Sequence, residues 1–226
     1  CYNEPRINIL CVYGGVKMWW GTWGIAGLAL ASLTIWLKCW PKASTRLSLI
    51  STIFKVMSTV SFSLLALSGV TNKYELIIVY GLLICALGDL FMDYEKMFMF
   101  GMLSFLVGQI LYISGFLTLY EMHGWDKIVY LVLILAGALC YYFFVLSKNL
   151  GKDKVPVLIY LIAICTMLWS TIPSRSSATA GALLFVISDS LLAYDKYVGR
   201  IKNRDFLILS TYFVGQFLIA WSVVVK

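Results

Sequence analysis

An all-helical, polytopic membrane protein of eight transmembrane helices is the fold this sequence predicts, on three observations. Of the 226 residues, 61% are hydrophobic and only 13% are charged, with a mean hydropathy of +0.88. Apolar runs of the roughly 20 residues that a helix needs to cross the hydrocarbon core follow one another, separated by short polar breaks. Aromatic residues gather where the runs end. A soluble domain of this length needs a far more charged surface. No stretch is left over to form one, so function is expected inside a single transmembrane domain covering 1–226.

The stretch from Cys1 to Met18 is too short and broken to cross. The spans then read Trp19–Leu37, Leu47–Val70, Glu75–Met92, Met97–Leu119, Lys127–Leu146, Val155–Ile172, Ala178–Tyr194 and Phe206–Val225. Trp19, Trp20, Trp40, Tyr74, Tyr120, Trp125, Tyr194 and Tyr197 sit near span ends, as interfacial anchors do. No basic segment with a small-residue cleavage site precedes the first span, and an opening on Cys1 rather than Met is expected of a trimmed N-terminus.

The net charge of +7 does not point to nucleic acid, because the basic residues lie in short loops between apolar spans. There they set orientation and touch anionic lipid. The odd-numbered loops carry Lys38, Lys42, Arg46, Lys96, Lys148, Lys152, Lys154, Lys196, Arg200, Lys202 and Arg204, against Arg6, Lys17, Lys73, Lys127, Arg175 and Lys226 on the other side. That excess predicts odd loops in the cytoplasm and both termini outside. The six cysteines, Cys1, Cys11, Cys39, Cys85, Cys140 and Cys165, show no CxxC spacing and read as buried thiols.

Gly81–Lys96 aligns without a gap on Gly181–Lys196, pairing Asp89 with Asp189, Tyr94 with Tyr194 and Lys96 with Lys196. Ser104–Gln109 similarly resembles Thr211–Gln216. The expectation is a 4+4 parallel repeat with approximate halves 19–120 and 127–225. Such halves are related by an axis along the membrane normal, which would set the two aspartates at equal depth, facing each other. Gly81, Cys85 and Gly88 share one face of helix three, where small residues allow close backbone approach.

Asp89 and Asp189 are the candidate chemical groups. A carboxylate at the bilayer centre costs about 2.5–3.5 kcal/mol on insertion scales, so its retention points to function; a carboxylate pairing with a base near the interface is the plainer alternative. Lys55 is the other charge deep within a span, read either as counter-ion to an aspartate or as a phosphate ligand. Gln109 and Gln216 are interhelical hydrogen-bonding groups or substrate ligands, and Tyr112 and Tyr212 are packing groups or ligands. One histidine, His123, cannot build a zinc site or serve a triad beside the aspartates. GxSxG, Walker and dinucleotide-binding glycine patterns are missing too, so no metal or other cofactor is expected.

Gly-Asp-Leu-Phe at 88–91, Gly101, Phe105, Gln-Ile-Leu-Tyr at 109–112, the Gly181–Asp189 segment, Tyr212, Gln216–Ala220 and Lys55 together resemble the lysoplasmalogenase (YhhN) family over nearly the whole chain. Gln109 stands where many members carry histidine, and Val56 where a proline is common. The resemblance implies a lysophospholipid substrate within the bilayer. It implies hydrolysis of a lysoplasmalogen vinyl ether to a fatty aldehyde and glycerophosphocholine or glycerophosphoethanolamine. It also implies residence in the endoplasmic reticulum membrane of a eukaryote or the inner membrane of a bacterium. Two carboxylates suit that reaction, since close carboxylates in a dry site share protons unequally. Lys55 and the basic odd loops would suit the headgroup phosphate. A proton- or ion-coupled transporter, or a lipid carrier, is the alternative that paired intramembrane aspartates also allow.

Overall fold

The computed structural model describes residues 20–39, 45–119, 126–174 and 177–225. Among them are eight helices long and apolar enough to cross a membrane, so the chain is a multi-pass integral membrane protein. They are α1 (Trp20–Cys39), α2 (Thr45–Gly69), α3 (Lys73–Met92), α4 (Phe98–Leu119), α5 (Asp126–Tyr141), α6 (Lys154–Thr171), α7 (Ser177–Tyr197) and α8 (Arg204–Val224). Each expected span meets its helix within three residues at either end, apart from α5, whose last turn widens into a π-turn over Tyr142–Leu146. The stretch before Trp20, with Cys1, Cys11, Arg6, Lys17 and Trp19, lies outside the described residues. So do Trp40, Lys42, Tyr120, His123, Trp125, Arg175 and Lys226.

The helix ends are chemically marked. Asn72 caps α3: its side chain accepts from the Tyr74 and Glu75 amides, while Glu75 reaches back to the Asn72 amide at 3.3 Å, closing a capping box. Between α7 and α8, Asp195 accepts from the Ile201 amide at 2.9 Å and pairs with Arg204 at 2.8 Å. Asn203 turns the chain there at φ 58°, a left-handed conformation that asparagine tolerates better than most residues.

The α3–α4 and α7–α8 hairpins are the most closely packed neighbours, and α8 also lies against α1 and α2. Small residues explain the close approach. A Cβ on Gly81 would lie 2.6 Å from the Tyr112 ring and 3.2 Å from the Gly108 carbonyl; on Gly181 it would lie 2.6 Å from the Gly215 carbonyl. Phe62, Leu82, Phe116, Phe185, Phe213 and Ile219 fill the centre. Helix α5 is peripheral, with Val132 and Leu133 turned outward toward the apolar surroundings. Cys85 and Cys165 are buried free thiols, as expected, whereas Cys39 and Cys140 are exposed free thiols.

The Gly81 crossing yields a test. Tyr112 is fully buried and cannot swing away, so Gly81→Ala is expected to cost about 1–3 kcal/mol, the usual range for overpacking. A melting temperature equal to the parent's would show that the crossing can open.

Candidate active site

A cavity of about 310 Å³ runs inward from the odd-loop end of the bundle, between α2, α3, α7 and α8. Asp89, Asp189, Lys55 and Tyr212 line its inner part, and Lys38, Asp93, Lys196 and Arg204 its mouth. The two aspartates singled out by the sequence therefore face one space.

Asp89 is wholly buried on α3, three residues before the helix ends. Its Oδ2 accepts from the Thr59 hydroxyl at 2.5 Å and the Tyr212 hydroxyl at 2.8 Å. The Lys55 ammonium stands 3.4 Å from Oδ1, which makes no hydrogen bond. Lys55 and Thr59 project together because they are four residues apart on α2. Behind Tyr212 runs a directed chain: Tyr112 donates to Gln216 Oε1 at 2.9 Å, and Gln216 Nε2 donates to the Tyr212 hydroxyl at 3.3 Å. Three of the polar residues marked in the sequence thus form a single support for Asp89. Edge-on packing of Phe105 and Phe185 against the Tyr212 ring fixes its position.

Asp189 is partly exposed to the cavity and has a different environment. It accepts a hydrogen bond from the Tyr160 hydroxyl of α6 and makes no ion pair among the described residues. Gln109 lies beside Tyr160, fully buried, and neither of its amide atoms has a hydrogen-bond partner among the described residues.

Lys55 is also 3.7 Å from Asp93, the residue that ends α3. Asp93 in turn pairs with Lys38 at 3.0 Å and accepts from Thr52 at 2.5 Å. The Lys55 ammonium is therefore engaged by two carboxylates. Thr59, Asp93 and Tyr160 are the partners that sequence reading missed. Asp93 lies one helical turn from Asp89, and Tyr160 sits mid-helix, away from the interfacial positions that aromatic residues favour; both placements were available as signals.

Partial burial works against the Asp93 carboxylate, but the Lys55 and Lys38 ammoniums outweigh it and hold its pKa below the ordinary value. A depressed folded value means the ion pairs contribute fully above the unfolded pKa of about 3.9 and are lost as pH falls through the lower folded value. Asp93→Asn is expected to flatten the acid limb of the melting-temperature profile below about pH 4. An unaltered limb would assign that loss to other groups.

The YhhN family pattern matches residues 50–223, most of the chain and a stretch that contains these site residues except Lys38. The chain belongs to the YhhN family. Lysoplasmalogenase TMEM86B of Homo sapiens is 31% identical to this YhhN protein over 150 residues, covering 64% of this chain and 62% of its own length. Lysoplasmalogenase TMEM86A of Bos taurus is 34% identical over 161 residues, covering 65% of each chain. The match thus spans somewhat less than two thirds of the length of these relatives. No solved structure matches this YhhN chain.

Proposed function

We propose that this protein is a membrane hydrolase that cleaves the vinyl-ether bond of lysoplasmalogens, with Asp189 as general acid and Asp89 as general base and electrostatic stabiliser. The observation that carries the assignment is the unequal surroundings of two carboxylates on one cavity. An ammonium and two hydroxyl donors converge on Asp89, an arrangement that favours an anion. Asp189 has one hydroxyl partner and no ion pair among the described residues, so it is the group that holds the proton.

In the proposed cycle, Asp189 gives its proton to the outer alkenyl carbon, and the positive charge spreads onto the ether oxygen. Ionised Asp89 stabilises that cation. Its Oδ1, free of hydrogen bonds, takes a proton from water as the water oxygen adds to the carbon next to the ether. The resulting hemiacetal collapses: its hydroxyl proton returns to Asp189, and Asp89 passes its proton to the departing glycerol oxygen. A fatty aldehyde and the glycerophospho-headgroup leave, and both carboxyls are restored. Gln109 is buried beside Tyr160 and is not among the residues that line the cavity, so its amide is assigned to the Tyr160 side of the site rather than to the substrate. Because Lys55 is held by two carboxylates, the headgroup phosphate is assigned to Lys196 at the mouth. That ammonium lies over the Phe98 ring, 3.6 Å from its centroid, and forms no ion pair with a carboxylate among the described residues.

The experiment is reconstitution in liposomes with a lysoplasmalogen, scoring aldehyde against translocated lipid. Aldehyde formation dependent on the protein is expected. Translocation without aldehyde would replace the hydrolase with the transporter reading.

A further inference from the structure

Ten charged side chains line the cavity, together with Met92, Phe98, Phe105, Leu192, Ile208 and Leu209. An alkenyl chain laid along it would strip the charged groups of water, a cost that an apolar groove beside the site does not carry. One apolar groove touches the site: it lies between α4 and α6, has a volume of about 360 Å³, and is walled by Met102, Leu103, Leu106, Pro156 and Ile159. Leu103 and Ile159 are more than half exposed, so the groove is open to the hydrocarbon around the protein.

Tyr160 joins the two spaces. Its ring forms part of the groove wall, and its hydroxyl donates to Asp189 in the charged cavity. A second apolar groove, holding Val186, Ile187 and Leu191, lies on the opposite face of α7 from Asp189 and Leu192, so it has no such connection.

We infer that the α4–α6 groove binds the long alkenyl chain of the substrate, and that Tyr160 is the positioning residue that aligns the chain's first carbons with Asp189. The inference rests on the hydrolase reading above. The ring of Tyr160 guides the chain while its hydroxyl fixes the acid, so the two effects are separable.

The test compares kcat/KM for lysoplasmalogens with a long and a short alkenyl chain. Leu103→Trp and Ile159→Trp, both at exposed positions that fold readily, should lower the long-to-short ratio about tenfold through a raised KM for the long chain. Tyr160→Phe should lower kcat for both substrates and leave the ratio alone. Ile187→Trp, in the unconnected groove, should leave the ratio at the parent value. An unchanged ratio in both tryptophan variants, or an equal shift with Ile187→Trp, would overturn the inference and leave a groove filled by bulk lipid. Photolabelling by a non-hydrolysable alkyl-ether lysophospholipid with a diazirine on its chain is independent of turnover. Labels on α4 and α6 are expected; labels confined to other helices would overturn the inference. Failure of the hydrolase reading looks different: the parent protein would release no aldehyde from either substrate.

Discussion

Asp189→Asn is expected to lower kcat for aldehyde release by about 10²–10⁴-fold, the usual contribution of a positioned general acid. The substitution preserves shape, and an asparagine carbonyl still accepts from the Tyr160 hydroxyl. It removes the one thing the reaction needs from this position, a transferable proton. Because Asp189 makes no ion pair among the described residues, its loss should leave the melting temperature in detergent close to that of the parent. Asp89→Asn should also abolish turnover but with a different signature. It strips the buried Lys55 ammonium of its nearer carboxylate, leaving Asp93 at 3.7 Å, so stability falls with activity. Aldehyde release by Asp189→Asn at the parent rate would remove Asp189 from the chemistry.

The spans and the two aspartates were legible in the sequence for the same physical reason. Hydrocarbon tolerates few charges, so runs of apolar residues declare the helices and the exceptions declare the site. What surrounds those exceptions was not legible. Thr59 looks like any hydroxyl in a membrane helix, and Thr34 and Ser61 do satisfy themselves on carbonyls four residues back, at 2.8 Å. Only the packing of α2 on α3 shows that Thr59, 3.4 Å from the Lys55 carbonyl one turn back, reaches at 2.5 Å a carboxylate thirty positions away. Tyr160 stood out as a mid-helix tyrosine, but its partner lies on a different helix, so only the packing names what it serves. Lys55 was visible, but its choice between counter-ion and phosphate ligand depends on where α3 ends. The 4+4 duplication stays a proposal, supported by the matched closeness of Gly81 to the Gly108 carbonyl and of Gly181 to the Gly215 carbonyl.

Lys55→Met is expected to destabilise the protein by about 3–5 kcal/mol, the cost of breaking a buried ion pair by removing one partner. The Lys55 side chain is only 9% exposed and serves two carboxylates at once. Removing it leaves Asp89 with its two hydroxyl donors but no cation, and Asp93 with Lys38 alone. Combining Lys55→Met with Asp89→Asn should recover much of the loss, because the second change neutralises the carboxylate that the first one stranded; the coupling is read from a double-mutant cycle. The phosphate-ligand role makes the contrary forecast. If Lys55 chiefly held a headgroup, Lys55→Met would raise KM, leave the melting temperature unchanged and show no coupling to Asp89. The geometry favours the first outcome, since a phosphate at Lys55 would have to displace a carboxylate already bound within the bundle.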